Sequence, residues 1–113
     1  MTLNDYQKKA ITSKIYDPSI AIPYVTLGLT GEAGEVAEKV KKYLRDEFDF
    51  YSQGIIPEKR KEEISKEIGD VLWYVAALCD ELGLSLEEIA QQNIDKLASR
   101  KERNLISGSG DNR

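Results

Sequence analysis

The sequence predicts an all-α fold, an antiparallel four-helix bundle formed by a single domain of residues 1–113. Apolar residues recur at helical spacing, and no stretch alternates apolar with polar residues as a half-buried strand would. Helix start and stop signals divide the chain into four segments, and the short links between them favour antiparallel neighbours. A domain of this size buries only about 65% of its unfolded surface, so we expect oligomerisation to complete the bundle.

The first two helices are delimited by capping residues and prolines. The first is predicted from Asp5 to about Tyr16, with Asn4 as its N-cap, and it ends before the Asp17-Pro18 pair. An irregular link leads to Pro23, which suits the first turn of a second helix reaching Tyr43 or Leu44.

The second half of the chain begins with a loop. Residues 46–54 mix acids, aromatics and glycine and are predicted to be irregular. Pro57 opens a third helix that ends at Gly83, a usual C′ residue. Ser85-x-x-Glu88 is a capping box that opens a fourth helix running to about Glu102. Residues 105–113 then form a flexible tail or a segment ordered by substrate.

Composition restricts the chemistry. There is no histidine and only one cysteine, Cys79, which excludes Ser-His-Asp and Cys-His catalysis, histidine-bearing zinc sites and di-iron bundles with Glu-x-x-His ligands. Any reaction must therefore depend on carboxylates, amines, hydroxyls and a bound cation.

Charge and hydropathy restrict the partners. The formal charge of −4 argues against duplex nucleic acid. No apolar run approaches the roughly 20 residues of a membrane span, and the N-terminus lacks the basic and apolar regions of a signal peptide. We expect a cytoplasmic protein that binds no membrane.

Two segments form a near-repeat that carries paired acids. Residues 32–40 (EAGEVAEKV) align with residues 67–75 (EIGDVLWYV), with Glu32 matching Glu67 and Glu35 matching Asp70. On a helical wheel, the first acid of each pair borders the apolar stripe and the second lies about 60° away. The shared design predicts that both helices present carboxylates beside the core.

Carboxylates at the edge of a core need a counter-charge, because facing pairs repel strongly where water is scarce. Four converging carboxylates form an oxygen-only site suited to Mg²⁺ or Mn²⁺. Gly34 and Gly69 lie inside the two helices at a cost of about 1 kcal/mol each relative to alanine, so we expect close approach of helix backbones or of a ligand there. The alternative is that the acids form a solvated face or surface ion pairs.

Residues 27–38 (LGLTGEAGEVAE), 66–74 (KEIGDVLWY) and 93–100 (NIDKLASR) resemble the MazG-like family of all-α nucleoside triphosphate pyrophosphohydrolases. That family's pattern is Glu-x-x-Glu, a spacer, then Glu-x-x-Asp. The N-terminal Asp5-Tyr6-Gln7 and the C-terminal GSGDNR also resemble single-domain members. The spacer is long for the family, so residues 48–54 are either an insertion that closes over substrate or a surface elaboration.

The resemblance implies Mg²⁺-dependent hydrolysis of (deoxy)nucleoside triphosphates to the monophosphate and pyrophosphate by a metal-activated water, with Mn²⁺ as a substitute. The implied metal ligands are Glu32, Glu35, Glu67 and Asp70. Glu35 is the candidate catalytic base, with Glu32 as the second catalytic residue.

Substrate contacts and assembly follow from the same resemblance and from helical position. The candidate substrate-binding residues are Tyr74, Asn93, Lys96 and Arg100. Trp73 points about 120° from Glu67 and is predicted to be core or subunit interface, whereas Tyr6, Tyr24 and Phe48 are either base-stacking or packing groups. The resemblance implies a homodimer or homotetramer with shared pockets. The alternative function is a non-enzymatic helical interaction module with an acidic face.

Overall fold

The computed structural model describes all residues, 1–113, and confirms the all-α class, with five α-helices and no strand. The helices are α1 (Leu3–Ile11), α2 (Ala21–Asp46), α3 (Phe48–Ser52), α4 (Glu58–Glu81) and α5 (Leu86–Glu102), with one 3₁₀ turn at Pro18–Ile20. None of these helices combines the length and apolar content needed to cross a lipid bilayer.

Helix α1 begins earlier than predicted. Its N-cap is Thr2, because the Thr2 hydroxyl accepts from the Asp5 amide and the Asp5 carboxylate accepts from the Thr2 amide, both at 3.0 Å. The prediction of Asn4 as N-cap was wrong. The Asn4 side chain instead joins α1 to the start of α5, where its Oδ1 accepts from the Ser85 hydroxyl at 2.7 Å.

Helix α1 also ends before Tyr16, at Ile11, and two hydroxyls explain the early end. Thr12 Oγ1 donates to the Lys9 carbonyl at 2.6 Å and Ser13 Oγ to the Ala10 carbonyl at 2.8 Å, so side chains satisfy the last carbonyls. The Tyr16 hydroxyl then donates to Glu81 at 2.7 Å, which ties the link between α1 and α2 to the end of α4.

Helix α2 is longer than predicted at both ends. Pro18 starts the 3₁₀ turn that leads directly into α2, and the Asp17 carboxylate accepts from the Ser19 amide at 2.9 Å. Pro23 lies within the first turn of α2, as predicted, although the helix begins two residues earlier, at Ala21. At the other end, α2 continues to Asp46, two residues past Leu44.

The segment predicted as a loop at 46–54 contains the short helix α3. The Tyr43 hydroxyl donates to the Ile55 carbonyl, and Arg60 Nε donates to Glu47 Oε1 at 3.0 Å, so both ends of the connection are fixed to the long helices. Glu47, the residue after α2, follows Glu32 by fifteen positions, about 22 Å at 1.5 Å per residue. Within one chain, α3 therefore caps the far end of the hairpin and does not cover the paired acids.

The boundaries of α4 and α5 agree with the prediction to within one or two residues. Gly83 follows the last residues of α4 with φ +70, a conformation that glycine adopts without strain. Ser85 caps α5, its hydroxyl accepting from the Glu88 amide at 3.2 Å.

The long helices α2 and α4 form an antiparallel hairpin, and α1 and α5 pack on α4 without contacting α2. The core between α1, α4 and α5 contains Ala10, Ala76, Cys79 and Leu86. Trp73, predicted to be core or subunit interface, is partly buried and packs against this core, and its Nε1 donates to the Ala10 carbonyl at 2.9 Å.

A single chain leaves an unusual amount of surface exposed. Its accessible surface is 8085 Å², whereas a monomeric protein of this mass exposes about 6,200 Å². The radius of gyration is 17.3 Å, against about 13 Å for a compact domain of this length. The hairpin therefore exposes apolar area that a compact monomer would bury.

Candidate metal centre

Three of the predicted carboxylates meet between α2 and α4. Glu32, Glu67 and Asp70 each offer an oxygen, and these three oxygens lie within 4.8 Å of one another. Glu32 and Glu67 are half-buried at the edge of the helix interface, and Asp70 is exposed. The near-repeat of the sequence thus places three of its four paired acids together in space.

Helical position explains this convergence. On α2, Glu32 follows the fully buried Val25 by two turns and points towards α4; on α4, Glu67 precedes Val71 by one turn and points towards α2. On α4, Asp70 lies about 60° around the helix axis from Glu67, on the side of the hairpin that also exposes the Glu32 carboxylate.

The electrostatics of this cluster are unfavourable in the protein alone. Burial, followed by the charges of Asp70 and Glu67, raises the pKa of the Glu32 carboxyl above its usual range, and Glu35 adds a smaller effect. No lysine or arginine forms an ion pair with any of these acids. The cluster therefore presents concentrated negative charge without a neutralising side chain.

Glu35 lies one turn beyond Glu32 on α2 but does not join the group of three. Its side chain is exposed, although it is close enough to Glu32 for its charge to affect the pKa of Glu32. The structure therefore brings together three of the four predicted ligands and leaves Glu35 beside them with an uncommitted carboxylate.

The donor set suits a hard divalent cation. All donors are carboxylate oxygens, which Mg²⁺ and Mn²⁺ prefer. Opposite ligands of one Mg²⁺ lie about 4.2 Å apart, so oxygens within 4.8 Å need only a small adjustment to share an ion.

Tyr74 borders the acids, as its predicted position one turn after Asp70 requires. Burial, followed by the neighbouring Tyr24 and the charges of Glu32 and Asp70, raises the pKa of the Tyr74 phenol. Tyr6 of α1 also approaches from the side of Asp70, since burial and then the charge of Asp70 raise the pKa of Tyr6. Both phenols therefore lie close enough to the carboxylates to be affected by their charge.

The other stacking candidates pack within the chain. Tyr24 stacks on Tyr16 with ring centroids 5.2 Å apart, and Phe48 contacts Tyr51 in α3 at 5.9 Å. Phe48 lies at the far end of the hairpin from the acids.

The expectation of close helix approach at Gly34 and Gly69 was wrong within the chain, because a Cβ at either position would meet no atom within 4 Å. The close contact occurs at Gly28, where a Cβ would lie 2.1 Å from the Tyr74 ring. Sequence reasoning missed Gly28, although its place one turn before Glu32 was a usable signal.

The predicted residues of α5 lie apart from the acids of their own chain. Asn93 and Lys96 line a shallow depression with Ile89 and Gln92, and α5 does not contact α2. The structure therefore does not unite Asn93, Lys96 or Arg100 with the carboxylate cluster.

The C-terminal tail folds back onto α5. Asp111 Oδ1 lies 3.3 Å from Lys96 Nζ and 3.4 Å from Arg100 Nη2, and Arg113 Nε donates to the Leu105 carbonyl at 2.8 Å. Arg100 is 4% exposed, and its Nε has no hydrogen-bond partner. The two α5 cations are thus held by an acid of the tail.

Comparison with known proteins finds one matching family and two similar proteins. The sequence model of a family described as the MazG nucleotide pyrophosphohydrolase domain matches residues 24–104. The Gene 37 protein of Mycobacterium phage L5 is 44% identical over 119 residues, covering 100% of each chain. The uncharacterized protein YvdC of Bacillus subtilis (strain 168) is 34% identical over 99 residues, covering 86% of each. No solved structure matches the chain.

Proposed function

This chain belongs to the MazG nucleotide pyrophosphohydrolase family, and from that premise we propose that it hydrolyses (deoxy)nucleoside triphosphates to the monophosphate and pyrophosphate with Mg²⁺. The observation that carries the proposal is the cluster of Glu32, Glu67 and Asp70, whose oxygens converge without a basic partner. A cluster of this kind is unfavourable alone and favourable around a divalent cation.

The residues at the cluster divide into two roles. Glu32, Glu67 and Asp70 would hold Mg²⁺, and Mn²⁺ is a suitable substitute because it prefers the same oxygen donors. When bound, the cation supplies neutralisation of the polyphosphate charge and activation of a water molecule. Glu35 is the proposed base, since it stands beside the cluster but outside it and its carboxylate is free to accept a proton.

The proposed reaction breaks one anhydride bond. The oxygen of water forms a bond to the α-phosphorus, the bond from that phosphorus to the bridging oxygen breaks, and pyrophosphate leaves with the electron pair. Glu35 accepts the proton of the attacking water. Tyr74, beside the acids, is proposed to donate a hydrogen bond to the bound nucleotide.

The cations that would bind the triphosphate come from α5, and we propose that a second copy of the chain supplies them. Asn93, Lys96 and Arg100 do not reach the acids within one chain, because α5 packs on α1 and α4 and not on α2. A homodimer or homotetramer with shared pockets would bring these side chains to a neighbouring cluster.

The exposed surface supports this assembly. At 100° per residue, Ile22 and Val40 of α2 and Ile68 and Leu72 of α4 fall on one side of the hairpin, opposite the side that carries Asp70. These four side chains are 46%, 37%, 55% and 37% exposed. The surface in excess of a compact monomer is about 1,900 Å² per chain, which is ample for an obligate dimer interface.

A panel of normal and modified triphosphates tests the proposal. Purified protein with Mg²⁺ should release pyrophosphate, not orthophosphate, from at least one of them, and EDTA should abolish the release. Absence of turnover across the whole panel would overturn the proposal in favour of a non-enzymatic interaction module.

A further inference from the structure

Helices α2 and α4 meet closely where Gly28 faces the ring of Tyr74. A Cβ built on Gly28 would lie 2.1 Å from Tyr74 Cε1, 2.5 Å from Cζ and 2.6 Å from Cδ1. Contacts below 3.0 Å are essentially never made by real Cβ atoms. The ring therefore occupies the space beside the α2 backbone that the side chain of any larger residue at position 28 would need.

The Tyr74 ring has little freedom to move aside. It packs edge-on against Trp73 with centroids 5.0 Å apart, and the Trp73 indole is itself held by its hydrogen bond to the Ala10 carbonyl. Burial and then the neighbouring Tyr24 raise the pKa of the Tyr74 phenol, so Tyr24 also lies near the ring. Because an aromatic ring moves as a rigid unit, a methyl group at Gly28 must displace either the ring or the helix.

This contact lies one helical turn from the carboxylates. Glu32 follows Gly28 by four residues and Asp70 precedes Tyr74 by four. Since both helices rise 1.5 Å per residue, the antiparallel register that sets Tyr74 opposite Gly28 also sets Asp70 level with Glu32. The distance between α2 and α4 at the Gly28–Tyr74 contact therefore fixes the distance between the helices one turn away, at Glu32 and Asp70.

We propose that Gly28 is a positioning residue for the carboxylate site: by admitting the Tyr74 ring against the backbone of α2, it sets the spacing that lets Glu32 share an ion with Glu67 and Asp70. This inference rests on the proposed metal site. It gives Gly28 a role distinct from that of Gly34, where a Cβ meets no atom within 4 Å.

The spacing leaves little tolerance. Opposite ligands of one Mg²⁺ lie about 4.2 Å apart, so the three oxygens, which lie within 4.8 Å of one another, have little room to separate further. Widening the 2.1 Å separation between a Cβ at position 28 and the ring to an ordinary contact of 3.4 Å requires a movement of more than an ångström. Even part of that movement, taken up by separation of the helices, carries Glu32 away from the acids of α4.

The test is a double-mutant cycle read by Mn²⁺ binding, with Mn²⁺ alone as the probe and electron paramagnetic resonance of free Mn²⁺ as the signal. Gly28→Ala should weaken Mn²⁺ binding about 10- to 100-fold, the range seen when a group that orients metal ligands is lost. In the Tyr74→Ala background, where the ring is absent, Gly28→Ala should leave Mn²⁺ affinity unchanged.

Gly34→Ala is the matched control, a glycine of the same helix with open space at its Cβ, and it should bind Mn²⁺ like the unaltered chain. Equal affinity for Gly28→Ala and the unaltered chain overturns the inference, as does an equal loss in both Tyr74 backgrounds. A Gly28→Ala chain that fails to fold by far-UV circular dichroism, while the double variant folds, also overturns it, since the contact then serves the whole fold. If the unaltered chain binds no Mn²⁺, the proposed metal site itself fails, which is a separate result.

Discussion

Glu32 on α2 and Asp70 on α4 bring carboxylate oxygens within 4.8 Å of each other, and no lysine or arginine pairs with either. Burial, followed by the charges of Asp70 and Glu67, raises the pKa of Glu32. This relationship accounts for the paired acids of the near-repeat, because the two segments that carry them face each other across the hairpin.

Divalent cations should stabilise the folded chain. An ion that binds the native cluster and not the unfolded chain raises the free energy of unfolding by about 1.4 kcal/mol at a concentration ten times its Kd. Differential scanning fluorimetry should therefore show a melting temperature that rises with millimolar Mg²⁺ or Mn²⁺ and returns with EDTA. Buffer without divalent cations, at matched ionic strength, is the control. A melting temperature that changes with neither Mg²⁺ nor Mn²⁺ would favour an interaction module.

A charge on the apolar side of the hairpin should separate the copies. Leu72→Lys places an ammonium where a second chain is proposed to pack, and burying an unpaired charge costs several kcal/mol, so the dimer should weaken at least about 100-fold. Light scattering after gel filtration gives the mass. Ile15→Lys, at a position that is 99% exposed and outside the hairpin, should leave the mass unchanged; a monomeric unaltered chain would refute the proposed assembly.

The link between α1 and α2 should make the fold sensitive to acid. Hydrogen bonds from Tyr16 and Lys14 lower the pKa of Glu81, so this group favours the folded state above its usual pKa of about 4.5 and loses that contribution as pH falls through the lowered value. In urea unfolding at pH 7, Glu81→Gln should have a lower free energy of unfolding than the unaltered chain. This difference in free energy should vanish towards pH 3. Tyr16→Phe should reduce the difference; a gap that stays constant with pH would contradict the assignment.

The tail acid should compete with substrate phosphate for Lys96. Asp111 is 84% exposed at its side chain and pairs with Lys96 and Arg100 at 3.3 and 3.4 Å, so the contact is weak enough to yield to a triphosphate. Asp111→Asn should lower KM a few-fold and leave kcat unchanged. A raised KM would mean that Asp111 holds Lys96 and Arg100 in place for substrate.

Much of this arrangement was predictable from the sequence because it depends on helical periodicity. The positions of Glu32, Glu67 and Asp70 beside the apolar stripe follow from residue spacing alone, as does Trp73 in the core. The start of α1 at Leu3, capped by Thr2, and its end at Ile11 depend on side-chain hydrogen bonds that periodicity does not reveal, so both ends were misplaced.

The remaining features depend on contacts between distant residues. The Gly28–Tyr74 contact requires the register of two helices, and the pairing of Asp111 with the α5 cations requires the path of the tail. Glu35 illustrates the same limit. It occupies the position in α2 that Asp70 occupies in α4, yet its carboxylate lies outside the group formed by Glu32, Glu67 and Asp70.

Product analysis by ³¹P nuclear magnetic resonance tests the central claim most directly. With Mg²⁺ and the preferred triphosphate, the unaltered chain should give resonances of the monophosphate and pyrophosphate in equal amounts. Glu67→Gln should abolish both while the far-UV circular dichroism spectrum stays the same, because the substitution removes one ligand charge without altering helix packing. Orthophosphate with a diphosphate as the products, or undiminished pyrophosphate release by Glu67→Gln, would contradict the account.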